Sequence, residues 1–534
     1  MDYGKKPWFH GPVARTVGRL SPLFIMIPVG LLSIAGYLIE NGFGARIVNL
    51  AEHVLESPNF RVDEYIKGID SRIFAIDLHW DVHSHGAIAL AQICKQQHPD
   101  SFVLLGGLTA SYFSQEIVSS FQFIDGVIRG EAEKPMVTLA RAIAKNSTLD
   151  QVPNLTHRQA NGHVRINPQA EPERSIDHYD FTNLALVDPK KVLLNIEAGL
   201  RSMKLWNLPV CRGCTLNCVT CGGSQHAYQR IFKREKPAFR SPERLVDDFH
   251  ALDNQGINSI FLFQDCRLGS KSYYENLLRR LHNEKWSNIQ HITLELFHPA
   301  SDEFVRYLAR NKPADKITLT NSPESGCDRV RQLHGRNYDN QSILNTVAKC
   351  KANSLPIIFH FMIGLGSEST ESLNEMWTLW DKILSRKKHS GFFTSVDVGP
   401  MILMDPGSIA YENPANYGYR MLAVTFSEMY RKLSAPIWTE WINYETRYMR
   451  KSDIVQSVFE SMEKLIDVYE KYGIYDRTTA YNERMRNKLE KNIAREAQDA
   501  LNLLDPKARS QKLKELHEIY RDPLLSYSYV MTCE

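Results

Sequence analysis

The chain has 534 residues, of which 43% are hydrophobic and 23% charged, ordinary proportions for a globular protein; at this length about three domains are expected. A formal charge of +3 leaves no electrostatic footprint for nucleic acid or an anionic membrane. Nine cysteines are too few for a disulfide scaffold, and their crowding between residues 211 and 221 points to a metal site in a reducing, cytoplasmic compartment.

In chain order, residues 22–39 carry no charge and sit at the lower length limit for a membrane-spanning helix. Pro28 and Gly30 interrupt the run. It therefore reads as an extended piece, 23–27, then a buried helix, 31–39, stopped by Glu40-Asn41-Gly42. Neither a transmembrane segment nor a secretory signal is expected. Residues 1–135 alternate strand-like runs (45–50, 72–77, 102–105, 126–128) with helical segments such as 86–97, the rhythm of a doubly wound, Rossmann-like parallel sheet. Two loops gather at its strand ends: 78–86, holding His79, His83 and His85, and 106–111, opening with Gly106-Gly107. Residues 136–190 read as a connector with a small hairpin turning at Asn161-Gly162.

Residues 191–400 resume the alternation. Strands at 205–210, 259–264, 292–297, 317–320, 357–362 and 395–398, with Ser241-Pro242 opening one helix, fit a partial (β/α)6 barrel whose chemistry sits on loops at strand C-termini. The tail, 401–534, reads as helices at 421–433, 454–472, 479–504 and 508–520. Its aromatic cluster around Trp438, Trp441, Tyr444 and Tyr448 is read as helix-core packing.

Directly after the first barrel strand come Cys214, Cys218 and Cys221, spaced CxxxCxxC. Three thiolates on one tight loop ligate three irons of a 4Fe–4S cube and leave the fourth open to a small molecule. Cys211 supplies a rival reading, a four-thiolate zinc site, although a three-residue spacer strains tetrahedral ligation. The basic run Arg230, Lys233, Arg234, Lys236 and Arg240 reads as a solvated loop.

The cysteine spacing resembles that of the radical SAM superfamily, in which S-adenosylmethionine (SAM) chelates the open iron and is cleaved reductively to a 5′-deoxyadenosyl radical. The resemblance extends along the barrel: Glu324-Ser325-Gly326 is similar to the segment contacting the ribose or amino acid part of SAM, and Gly364-Leu365-Gly366 to the segment contacting adenine. Two positions depart from the pattern. Thr220 stands where an aromatic residue is usual, and Gln264-Asp265 where Gly-Gly-Glu grips the SAM amino group, so that either residue would take over that contact.

Residues 1–135 in turn resemble the cobalamin-binding domain that precedes some radical SAM barrels, through the segment from Pro28 to Asn41-Gly42, Leu105-Gly106-Gly107 and Arg129-Gly-Glu-Ala-Glu133. The resemblance implies corrinoid contacts from His79, His83, Gly106, Gly107, Leu108, Thr109 and Glu131. Asp81-Val-His83-Ser-His85-Gly86 matches a DxHxxG cobalt-ligand pattern but follows the wrong strand, so it is read as coincidence, with cobalt held without histidine.

Together the resemblances imply an enzyme with a 4Fe–4S cluster, SAM and cobalamin. It would act on an unidentified organic substrate, fed by an electron donor such as flavodoxin or ferredoxin. The leading activity is C-methylation at an unactivated carbon. Alternatives are a cyclase or rearrangement enzyme with the same cofactors, a tRNA methylthiotransferase, and a non-catalytic corrinoid or zinc scaffold. The methylthiotransferase needs three further cysteines in the N-terminal domain, where only Cys94 lies. No residue can be named as a catalytic base.

Overall fold

The computed structural model describes residues 27–188 (apart from 51–52, 54–56 and 58–59), 204–385 and 392–519. The extended piece expected at 23–27 therefore lies almost wholly outside the described residues, as does Cys533. Among the described residues no helix is long and apolar enough to cross a membrane. The uncharged run instead forms the helix Gly30–Glu40, with Leu32, Ala35 and Leu38 buried.

The N-terminal sheet has five strands in the order Ile73–Asp77, Phe102–Gly106, Gly126–Ile128, Leu155–Arg158, Val164–Ile166. The first three are parallel, joined by crossover helices such as Ser84–Gln97. The last two run antiparallel as a hairpin that turns at Asn161-Gly162 and extends the sheet. The connector thus completes this domain, and the sheet is mixed where a parallel one was expected. The strand expected at 45–50 shrinks to Ile47–Val48 and pairs with Val187–Asp188 rather than with this sheet.

The second sheet is the expected open barrel. Six parallel strands stand side by side in chain order: Leu205–Pro209, Ser259–Phe263, His291–Leu296, Lys316–Glu324, Ile357–Ile363 and Thr394–Pro400. Their outer positions, for example Ile292, Leu294 and Leu296, are buried under the helices. Each such side chain contributes about 1.5–3 kcal/mol by leaving water. Their inner positions stay partly exposed, so the sheet encloses a groove rather than a filled core.

An edge strand invites unwanted pairing unless it is covered. The last barrel strand is covered by the helix Lys451–Lys471, whose Tyr469 hydroxyl accepts the Val396 N–H at 3.0 Å and donates to the Val396 carbonyl at 2.6 Å. Helices Arg477–Leu501 and Pro506–Ile519 pack behind it. The helix expected at 421–433 starts later, at Phe426, because Thr425 and Glu428 form a capping box there. Met421 instead ends a short strand, Tyr419–Met421, paired antiparallel with Tyr444–Thr446. Trp438 and Tyr444 are buried, as core packing requires, while Tyr448 is exposed.

Candidate functional site

The chain leaves the first barrel strand at Pro209, makes a two-residue pairing of Cys211–Arg212 with Ala238–Phe239, and then forms the cysteine loop before the helix Gln225–Phe232. Backbone bonds hold this loop: Gln225 N–H donates to Leu216 O at 2.8 Å and Val219 N–H to His334 O at 3.1 Å. Gly335, at φ +81°, sits so close that a Cβ there would lie 2.5 Å from Asn217 O. Two sulfurs already accept backbone N–H bonds, Cys214 from Leu216 at 3.4 Å and Cys221 from Gly223 at 3.2 Å. Such bonds stabilise thiolates bound to a cluster. As free thiols all three are pushed up by burial, so metal binding is what would make them anionic.

Among the described residues, no three His, Cys, Asp or Glu side chains converge as a single ion would require. The Cys211 thiol turns aside and donates to Gln264 Oε1 at 2.8 Å. Cys211 is thus engaged apart from the other three thiols, which leaves three for a cluster that takes one thiolate per iron.

Beside the loop, Arg336 is buried and paired with Glu324, which sits at the end of the fourth strand at φ +65°. Burial opposes the charge on Arg336, and Glu324 together with nearby Cys218 overcomes that and holds its pKa well above the ordinary value. Arg336 Nε, Glu324 Oε2 and Tyr338 OH are buried with no partner. Buried polar groups are seldom left unpaired, so this corner fits a polar ligand alongside a cluster. Arg336 lies outside the segments singled out by sequence, and its separation from Glu324 is bridged only by the fold.

The other SAM candidates are placed differently. Asp265 is almost fully buried and committed to a bidentate pair with Arg267 and to the Phe297 N–H. Both of its oxygens are thus engaged within the protein. Gln264, at φ +70°, gives its side chain to Cys211 and Gly213 while its N–H donates to Glu295 at 2.6 Å. Ser325 is buried and accepts from Cys327 N–H. Gly364 and Gly366 face the chain's own tail, since Cβ atoms there would lie 2.3 Å from Tyr444 OH and 1.9 Å from Tyr417 O. Both glycines are explained by that close packing.

The two N-terminal loops lie against one another: Leu78 N–H donates to Gly106 O at 2.7 Å, and the Thr109 hydroxyl to His79 O at 2.9 Å. Gly107, at φ +104°, would place a Cβ 2.7 Å from the Leu78 and His79 backbone, so only glycine fits. Burial lowers His79 to about 4, which keeps its ring neutral. Asp81 is raised by burial to about 7, and its Oδ2 is buried without a partner. His83 stands edge-on to Trp80. A corrinoid presents amide groups, and a buried, unpaired carboxylate oxygen beside neutral rings fits them. Leu108 packs across the domain boundary on Ala227 and Ile231 of the helix after the cysteine loop. Glu131 joins the two domains, because Arg234 and Arg212 both pair with its carboxylate.

These pairs bring the two halves together. Arg212 also holds the buried Glu133 at 2.6 Å, and Ser33 donates to the same carboxylate. Of the basic run, Arg234 and Arg240 are buried rather than solvated, Arg240 on Asp248. Asp405 accepts the Gly222 N–H at 2.9 Å, inside the cysteine loop, and adds to the upward shift of Asp81. Burial raises Asp405 to about 6.

Comparison with known proteins agrees with this layout. A model for the B12 binding domain matches residues 15–140 and one for the Radical SAM superfamily matches residues 208–378. The chain is 24% identical over 373 residues to an uncharacterized methyltransferase of Pyrococcus horikoshii, covering 69% of this chain and 74% of that one. It is 21% identical over 383 residues to the anaerobic magnesium-protoporphyrin IX monomethyl ester cyclase of Rubrivivax gelatinosus, covering 70% of this chain but less than two thirds, 64%, of the cyclase. In fold it is similar to TsrM of Kitasatospora setae, a radical S-adenosylmethionine methyltransferase solved with cobalamin and a 4Fe–4S cluster bound, with a TM-score of 0.58 at 14% identity over 93% of this chain and 97% of that one. The radical SAM domain implies a 4Fe–4S cluster and SAM, and the B12 domain implies cobalamin. The chain thus contains a B12-binding domain followed by a radical SAM domain, and is a radical SAM enzyme.

Proposed function

We propose that this enzyme is a cobalamin-dependent radical SAM C-methyltransferase acting at an unactivated carbon. The observation that carries the reading is the packing of Leu108, at the Gly106-Gly107 loop, on Ala227 and Ile231 of the helix that follows the cysteine loop. When bound, the cluster and SAM supply hydrogen abstraction from carbon, and cobalamin supplies a methyl group.

The protein's own residues then have definite tasks. Cys214, Cys218 and Cys221 ligate three irons, and the Leu216 and Gly223 N–H groups steady two of the thiolates. Arg336 offsets the negative charge gathered there and, with Glu324 and Tyr338, offers unpaired polar atoms to SAM. Gly107 lets the backbone of one corrinoid loop lie on the other, and Asp81 accepts from a corrinoid amide. The tail packs directly on Gly364 and Gly366 at the end of the fifth strand. The reductant is a small electron-transfer protein of the flavodoxin or ferredoxin kind, and the enzyme works in the cytoplasm.

The similarity to magnesium-protoporphyrin cyclases supports a second outcome, ring closure. One experiment separates the two. The reconstituted enzyme is incubated anaerobically with reductant, a metabolite extract and SAM labelled with deuterium on its methyl group, and products are read by mass spectrometry. A product bearing the intact labelled methyl is expected. An unlabelled product lacking two hydrogens would instead establish cyclisation.

A further inference from the structure

The groove inside the barrel carries polar groups that neither the cysteine loop nor the corrinoid loops use. A parallel sheet covered on both faces reads as a near-continuous apolar run. Here the strands alternate: the inner positions are His291, Thr293 and Glu295 on the third strand, Thr318 and Thr320 on the fourth, Ile358, His360 and Met362 on the fifth, and Asp397 on the sixth. Three of these form a chain across neighbouring strands. Thr320 Oγ1 lies 2.7 Å from His360 Nε2, and Asp397 Oδ2 lies 3.3 Å from His360 Nδ1. Strand register puts His360 directly beside Asp397, and Thr320 beside Glu295.

Folding does not account for this chain. The His360 and Asp397 side chains are 45% and 59% exposed, and ion pairs so open to water contribute about 0–1 kcal/mol. The geometry suits recognition instead. With Asp397 drawing the proton to Nδ1, Nε2 is left as an acceptor, already engaged by a hydroxyl. On the opposite side of the groove, Phe261 and Phe263 of the second strand are partly exposed and stand outside the hydrophobic core.

We propose, resting on the methyltransferase reading above, that this inner face is the substrate site and that its substrate is amphipathic. An apolar portion lies on Phe261 and Phe263, and a hydroxyl or ring N–H takes the place of the Thr320 hydroxyl on His360 Nε2. Asp397 is a positioning residue that holds the ring in the accepting tautomer. A pure hydrocarbon is not bound well by this face, because it would leave His360 desolvated and unpaired.

The test uses two fluorescent probes of one shape, 2-naphthol and naphthalene, titrated into anaerobically reconstituted holoenzyme without SAM or reductant. The wild type is expected to bind 2-naphthol about tenfold more tightly, the discrimination of one hydrogen bond. H360L should reduce the preference to less than twofold, and D397N to about threefold by freeing the ring. Iron content should match wild type in both variants. Should H360L lose iron, D397N decides, and an unchanged preference there overturns the proposal. Equal affinities in wild type, no saturable 2-naphthol binding, or a preference that survives H360L also overturns it. Because no SAM is cleaved in this assay, its failure is distinct from failure of the methyltransferase reading, which is judged by the labelled-methyl product.

Discussion

The two sheets meet at one site but bring different resources to it. The N-terminal sheet runs parallel for three strands and then doubles back through the hairpin Leu155–Ile166, so few loops reach the site from its rim. Those loops are tied to each other by backbone bonds and one obligatory glycine, Gly107. The barrel runs parallel through all six strands, and every loop after a strand opens on the same rim. Its separate strands can therefore serve separate tasks: the first leads to the cysteines, the fourth ends in Glu324 beside Arg336, and the middle of the fourth to sixth carries Thr320, His360 and Asp397. On the proposed function the short mixed sheet carries one flat ligand, and the long parallel one spreads its contacts over several strands. Charge then joins the two, through Arg212 and Arg234 on Glu131 and Glu133.

The comparison can be broken most severely at the cysteines. Alanine at Cys214, Cys218 or Cys221 should abolish the cluster absorption and SAM cleavage while leaving cobalamin retention near wild type, since the bed lies on the other sheet. Next is the joint itself. R212M leaves the buried Glu133 carboxylate without its cation, a loss of about 3–5 kcal/mol. It should appear as a clear drop in thermal midpoint, with the N-terminal unit releasing corrinoid first.

A pH effect sharpens the barrel side. Glu368 is raised by burial to about 8 against the backbone hydrogen bonds it accepts at Gly364 and Leu365, and its Oε1 is buried without a partner. Its folded pKa lies above its ordinary value of 4.5, so its contribution is fully present below that value and is lost as pH rises toward 8. Stability should fall by on the order of 3 kcal/mol between about pH 5 and about pH 8.5, and E368Q should flatten that slope. Chemical denaturation at a series of pH values checks it. The smallest effect is expected from G107A, which forces a Cβ against the Leu78 backbone at positive φ, a strain of about 1–3 kcal/mol. It should weaken cobalamin retention at least tenfold by absorbance while the iron count stays unchanged.

Much of this layout is legible in the residues. Runs such as Ile292 to Leu296 and Ile357 to Ile363, bounded by polar turns, mark five of the six barrel strands to within two residues, while the fourth, expected to stop at 320, runs on to Glu324; the cysteine spacing announces the loop after the first. What escapes is anything decided by a partner. Nothing in the sequence shows that Arg267 holds Asp265 or that Arg234 holds Glu131. The tail packed closely on Gly364 and Gly366 has no signal in the sequence. The short strand Ile47–Val48 depends on Val187–Asp188, far along the chain. Thr320, His360 and Asp397 stand about forty residues apart, and only strand register makes them neighbours.

The central claim is that the cysteine loop and the first-strand loop of the B12 domain hold their cofactors side by side. Anaerobic reconstitution with iron, sulfide and hydroxocobalamin, followed by metal analysis and an assay for 5′-deoxyadenosine on adding SAM and reductant, tests it directly. The account predicts about four irons and about one corrinoid per chain, with 5′-deoxyadenosine formed. A colourless protein that takes up zinc in place of iron, or one that binds iron yet never cleaves SAM, would contradict it.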